Sequence, residues 1–154
     1  MTSKRIRRYD DRDEIPTFDV WFQSCKATYT FLPMWQTLSR EQAWSFFRDR
    51  IVANCDLWVA EQDDTVVAYL AMDGSYVDRL YVSPNELRKG WGMLLLEKAK
   101  QLSPSGLELH THQQNHTARL FYEANGFMAV RFGTSPPPEL APDVEYHWRP
   151  TQAG

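Results

Sequence analysis

The chain has 154 residues, 43% of them hydrophobic and 24% charged, with a formal net charge of -3 at pH 7. That length suits one domain, read as residues 1–154, with a real hydrophobic core. The slight acidic excess argues against an obligate nucleic-acid binder, which normally carries a basic surplus. The opening "MTSKRIRRYDDRDE" lacks the apolar segment of a signal peptide, and no run approaches the ~18 apolar residues of a membrane span. Cys25 and Cys55 form neither a metal spacing nor a disulfide framework, so the cytoplasm is the expected compartment.

"RIRRYD" (5–10) reads as a first strand. Residues 13–27 follow with helical spacing of Ile15, Phe18, Trp21 or Phe22, and Cys25, with Pro16 in the first turn. The aromatic "TYTFLPMWQTL" (28–38), interrupted by Pro33, is a loop or broken helix. Ser39 followed by Glu41 and Gln42 starts another helix, expected to run to about Ile51. "DLWVAEQ" (56–62) and "TVVAYLAMD" (65–73) form a hairpin across "DD", and "SYVDRLYVS" (75–83) is a third strand ended by Pro84. A helix over 91–102 precedes "LELHTHQ" (107–113). There Leu107, Leu109 and Thr111 share one face, and Glu108, His110 and His112 the other. Asn115 caps a helix through Ala118, Leu120, Phe121 and Tyr122, which Asn125-Gly126 ends. "FMAVRF" (127–132) and "VEYHWRP" (144–150) are the last strands. The sum is an α/β fold: a single mixed, mostly antiparallel sheet of six to seven strands flanked by about four helices.

The segment "LRKGWG" (87–92) lies between a strand and a helix, with two glycines one residue apart behind two basic residues. It is not a P-loop, since neither glycine is followed by Lys-Ser/Thr at the required spacing. The dinucleotide fingerprint fails at Leu95, where a third glycine would stand. What remains is a helix N-terminus whose free N–H groups and macrodipole suit an anion, or else a tight turn with surface charges.

Two stretches decide between these. "LYVSPNELRKGWG" and "NHTARLFYEANGF" (115–127) occur in order, about twenty-five residues apart. Together they resemble the GNAT superfamily of N-acetyltransferases, most sharply over 76–127. One departure stands out: the family usually has Gln or Arg three residues before the first glycine, where this chain has Leu87. The resemblance implies a GNAT-like acyl-CoA N-acyltransferase fold and acetyl-CoA as co-substrate. It implies that the backbone of Leu80, Tyr81 and Val82 binds the pantetheine arm. Arg88, Lys89, Gly90, Trp91, Gly92 and Met93 would cradle the pyrophosphate, and Asn115 would touch the cofactor.

Tyr122 matches the tyrosine that similar enzymes place near the cofactor sulfur, where a phenol can protonate the departing thiolate. The alternative for it is a packed aromatic. The attacking amine must lose a proton, and His110 stands where similar protein N-terminal acetyltransferases carry a glutamate. A histidine titrates near neutral pH and suits that task, with Asp78 as rival and an ordered water as a further route. His110, His112 and His116 have no Cys or fourth ligand nearby, so no metal is expected, and His112 and His116 are read as solvent-facing or near the cofactor entrance.

By resemblance the acceptor is shaped by the first helices and last strands, where Tyr29, Phe31, Met34, Trp35 and Trp148 could wall a pocket for an apolar or cationic amine. The expected partner is therefore a small-molecule amine. A protein N-terminus or lysine is the alternative, and a non-catalytic acyl-CoA sensor or interaction module a further one. No nucleic-acid or membrane partner is expected. A homodimer through an edge strand or the aromatic segment is compatible with the sequence.

Overall fold

The computed structural model describes residues 3–151. Strand β1 (Lys4–Arg8) leads into a short capped turn, in which Asp10 accepts from the Arg12 N–H and Asp13 accepts from the Asp10 N–H. The Asp13 carboxylate is buried, and Arg7 grips it with two 2.8 Å bonds while reaching Glu61 at 3.2 Å. Helix α1 (Glu14–Thr28) buries Phe18, Trp21 and Cys25 on one face. Ile15, expected on that face, is instead half exposed. The aromatic segment does contain a helix, α2 (Pro33–Thr37), started by Pro33 at its first position and anchored by buried Trp35. Helix α3 (Arg40–Phe46) opens with a capping box between Ser39 and Gln42, then widens into a π-helical stretch over 47–52 that turns Phe47 and Ile51 into the core.

The remaining elements are β2 (Asp56–Gln62), β3 (Thr65–Asp73), β4 (Tyr76–Val82), α4 (Trp91–Leu102), β5 (Leu107–His112), α5 (His116–Ala124), β6 (Met128–Thr134) and β7 (Pro142–Trp148). They build one seven-stranded sheet in the order β1-β2-β3-β4-β5-β7-β6. Every pairing is antiparallel except β4–β5. Asp63 and Asp64 both take positive φ (50° and 67°), the pair of left-handed conformations that a two-residue hairpin turn demands. The sheet separates two cores. One face packs α4 and α5 through Trp91, Leu95, Leu96 and Tyr122, and the other packs α1 to α3 through Phe18, Trp21, Trp35 and Phe47. No helix among the described residues is long and apolar enough to cross a membrane.

Candidate active site

The β4–β5 junction makes the site. These parallel neighbours pair only at Tyr76 and Glu108, supported by the Glu108 N–H on the Ser75 carbonyl at 3.1 Å. Beyond that rung they diverge, and the β4 edge from Asp78 to Val82 has no strand beside it. One edge carbonyl, that of Val82, accepts from the Ser24 hydroxyl of α1 at 3.0 Å. The wedge opens into a cleft of about 1730 Å³ that runs from the 84–93 loop to the proline-rich segment 136–138.

At one end of the cleft sits the start of α4. Gly90 is its N-cap at φ 88°, and Arg88 is also left-handed at φ 64°. No side chain caps this helix among the described residues, so its first N–H groups face the cleft with the positive end of the dipole. Trp91 contributes backbone only: its ring is fully buried under Lys4, 5.0 Å away. The second glycine has a packing reason beside any ligand one, because a Cβ at Gly92 would lie 3.1 Å from the Phe121 ring of α5. Arg88 lines the cleft. Lys89 is drawn into an exposed ion pair with Glu86 at 3.0 Å.

Tyr122 projects from α5 into the middle of the cleft. Its ring packs on Phe121, Phe127 and Tyr146, while its hydroxyl has no protein partner among the described residues. Burial pushes its pKa well above the ordinary tyrosine value, and the field of Tyr76 adds to that. Tyr76 is itself raised to about 12, by burial and then by Asp78. The Tyr76 hydroxyl lies 2.7 Å from His110 Nδ1, and His110 Nε2 faces Glu145 at 3.6 Å. So Tyr122, Tyr76, His110 and Glu145 form one electrostatically connected group on the wall of the wedge. Asn115 caps α5, accepting from the Ala118 N–H at 3.2 Å, and also lines the cleft.

Asp78 lines the cleft, while His112 is placed differently from a solvent-facing reading. The Asp78 carboxylate sits beside the Cys55 thiol, with its own neighbour Arg79 in loose contact at 3.8 Å. His112 is buried rather than solvent-facing. Its ring stands edge-on to Tyr29 and Phe31, and its Nε2 contacts Glu139 at 3.4 Å. The His112 bond holds Glu139 below the usual carboxylate range. The Tyr29 and Tyr81 hydroxyls meet at 2.8 Å, closing the far wall. Among the described residues no three His, Cys, Asp or Glu side chains converge in a metal-holding group.

Comparison with known proteins agrees with this geometry. The model of the acetyltransferase (GNAT) domain matches residues 53–129, which include the open edge, the α4 start and Tyr122. The chain is 29% identical to the peptidyl-lysine N-acetyltransferase YiaC of Escherichia coli, with 80% of this chain and 83% of that protein covered. It is 30% identical to the peptidyl-lysine N-acetyltransferase YjaB of Salmonella typhimurium, with 82% and 83% covered. Among solved structures, apo YjaB of Escherichia coli superposes with a TM-score of 0.79 over 95% of this chain and 97% of that one, at 24% identity. The split sheet, the glycine-started helix and the matched domain lead to one conclusion: the chain belongs to the GNAT family and is an N-acetyltransferase.

Proposed function

We propose that the protein transfers an acetyl group from acetyl-CoA directly to the ε-amine of a lysine side chain. The observation that carries this reading is the convergence, on one cleft, of the open β4 edge, the free N–H groups of α4 and the Tyr122 hydroxyl. The backbone of Leu80, Tyr81 and Val82 holds the pantetheine amides. The N–H groups of Gly90 to Met93 with Arg88 hold the pyrophosphate, and Asn115 lines the approach. Lys89 can join them, since its pair with Glu86 is exposed and worth little.

The neutral amine attacks the thioester carbonyl carbon, and the C–S bond breaks as the tetrahedral intermediate collapses. The thiolate takes its proton from Tyr122, which its raised pKa keeps in the acid form. The proton leaving nitrogen passes through Tyr76 to His110 Nδ1, because the imidazole is already committed to Tyr76 on one side and Glu145 on the other. The relatives that act on peptidyl-lysine favour a lysine stem over a compact amine. A small-molecule amine is the second reading, supported by the aromatic wall of Tyr29, Phe31 and Trp35.

The test is calorimetric titration with acetyl-CoA, with NAD and ATP as controls, followed by thiol-release assays on lysine peptides and a panel of small amines. Selective acetyl-CoA binding and faster turnover of the peptides is the expected result. Absence of acetyl-CoA binding by the folded protein sinks the proposal, and preference for the small amines moves it to the second reading.

A further inference from the structure

The acceptor side of the cleft holds a guanidinium with almost nothing to bond. Arg79 lies opposite Ala71 in β4, on the face covered by α1, and lines the cleft. Only 29% of its side chain is exposed. Of the five N–H donors that an arginine presents, one is used among the described residues, Nη1 to the Asp78 carbonyl at 3.0 Å. Its Nε is fully buried without a partner. The nearest carboxylate, that of Asp78, stands at 3.8 Å, too far to make the two-pronged pair that usually accompanies a buried arginine.

Arg79 is not alone. The Tyr69 hydroxyl and His112 Nδ1 are likewise buried without partners, and all three belong to the acceptor side of the sheet. The field of Arg79 reaches Tyr69, Tyr81, Tyr29 and Glu139. Buried polar groups are nearly always satisfied in folded proteins, so two orphans on residues that line one cleft, Arg79 Nε and His112 Nδ1, with Tyr69 behind them, indicate a polar ligand group. A forked cation among tyrosine hydroxyls recognises a planar anion. Glu139 is held by His112 on the opposite wall and lies beyond ion-pair distance of Arg79, so the guanidinium fork is not spent internally.

Resting on the lysine-acceptor reading above, we infer that Arg79 is a specificity-determining residue whose guanidinium binds a carboxylate carried by the acceptor. That carboxylate is either the α-carboxylate of a free or C-terminal lysine or the side chain of an acidic neighbour in a peptide. The Tyr29–Tyr81 hydroxyl pair flanks the same position and supplies the remaining hydrogen bonds.

Binding to the CoA-saturated protein tests this without requiring turnover. Nα-acetyl-lysine, its N-methylamide and the N-methylamide of acetyl-Asp-Lys are titrated into wild type, Arg79→Lys and Arg79→Gln. Wild type should bind one or both carboxylate probes about 10- to 100-fold more tightly than the plain methylamide, the scale of a charge-assisted pair. Preference for the first probe identifies a terminal carboxylate, and preference for the third an acidic neighbour. Arg79→Gln should erase the preference while leaving the CoA affinity unchanged, and Arg79→Lys should keep part of it. Equal binding of all three probes by wild type, binding of none, or a preference that survives Arg79→Gln overturns the inference. Carboxylate selectivity with no acetyl transfer would leave Arg79 standing and remove the lysine-acetylation reading instead.

Discussion

Replacing Tyr122 with phenylalanine separates chemistry from packing. The ring is 8% exposed and contacts Phe121, Phe127 and Tyr146 at centroid distances of 5.2, 5.5 and 6.3 Å, contacts that phenylalanine keeps. The lost hydroxyl has no protein partner among the described residues, so no donor or acceptor is orphaned. Stability should therefore change by no more than about 0.5 kcal/mol, or roughly 1–2 °C in Tm. Loss of a general acid removes on the order of 10²–10⁴ from kcat, about 3–5 kcal/mol on the barrier. The assay is thiol release at saturating acetyl-CoA, with the cofactor's Kd and the Tm measured on the same preparation. Because burial raises the Tyr122 pKa, wild-type activity should also show no alkaline loss from this group up to pH about 10. A variant with kcat within threefold of wild type and an unchanged Tm would refute the reasoning and leave Tyr122 as a packed aromatic.

Other perturbations probe the remaining parts. Gly90→Val puts a β-branched residue at φ 88°, where its Cβ meets no atom within 4 Å. The strain of roughly 1–2 kcal/mol thus falls on the loop, and acetyl-CoA affinity measured by calorimetry should drop about tenfold or more. Arg7→Met strands the buried carboxylate of Asp13 and takes one of two arginine partners from Glu61, which keeps Arg5, lowering stability by about 3 kcal/mol and Tm by roughly 6–12 °C in calorimetric scans at pH 7. Burial pushes Asp13 up, but the bonds and charge of Arg7 outweigh it, and Arg7 bonds lower Glu61 directly. Both folded values lie below the unfolded ones, so this stabilisation is present above pH about 4 and lost as pH falls through the folded values. The gap between wild type and Arg7→Met should accordingly shrink in acid. Tyr76→Phe and His110→Ala should each cut kcat about tenfold or more while leaving acetyl-CoA affinity unchanged, and a full-rate variant of either excludes the relay.

What the sequence disclosed and what it hid follow from the range of the interactions. The Asn115 cap, the Ser39–Gln42 box and the Asp63-Asp64 turn are settled within four residues, and all three are found where they were expected. The helix over 33–37 is different, because its stability comes from Trp35 packing on Trp21 and Tyr29 rather than from local propensity. His112 looked solvent-facing because the residues that cover it, Tyr29 and Phe31, come from the other end of the chain. Arg79 was missed for a geometric reason. Strict alternation puts it with Val77 and Tyr81, but a bulge at Ala71/Met72 breaks the count. Val77 therefore faces the α4 side, while Arg79 joins Tyr81 on the acceptor side. No pattern in the strand itself marks that switch.

The lone Tyr76–Glu108 rung has a mechanical consequence. The sheet is in effect two plates, β1–β4 and β5–β7, fastened at one end like the jaws of pliers. A plate boundary with a single backbone rung, backed by the Tyr76–His110 bond and the shared core, has little ladder to undo before the jaws part at the open end. A ligand lying along the open edge and touching both jaws acts as a clasp. At one hundred times its Kd such a ligand adds about 2.7 kcal/mol to the closed form. The resistance of this fold to proteases would then follow the supply of the very molecule it consumes.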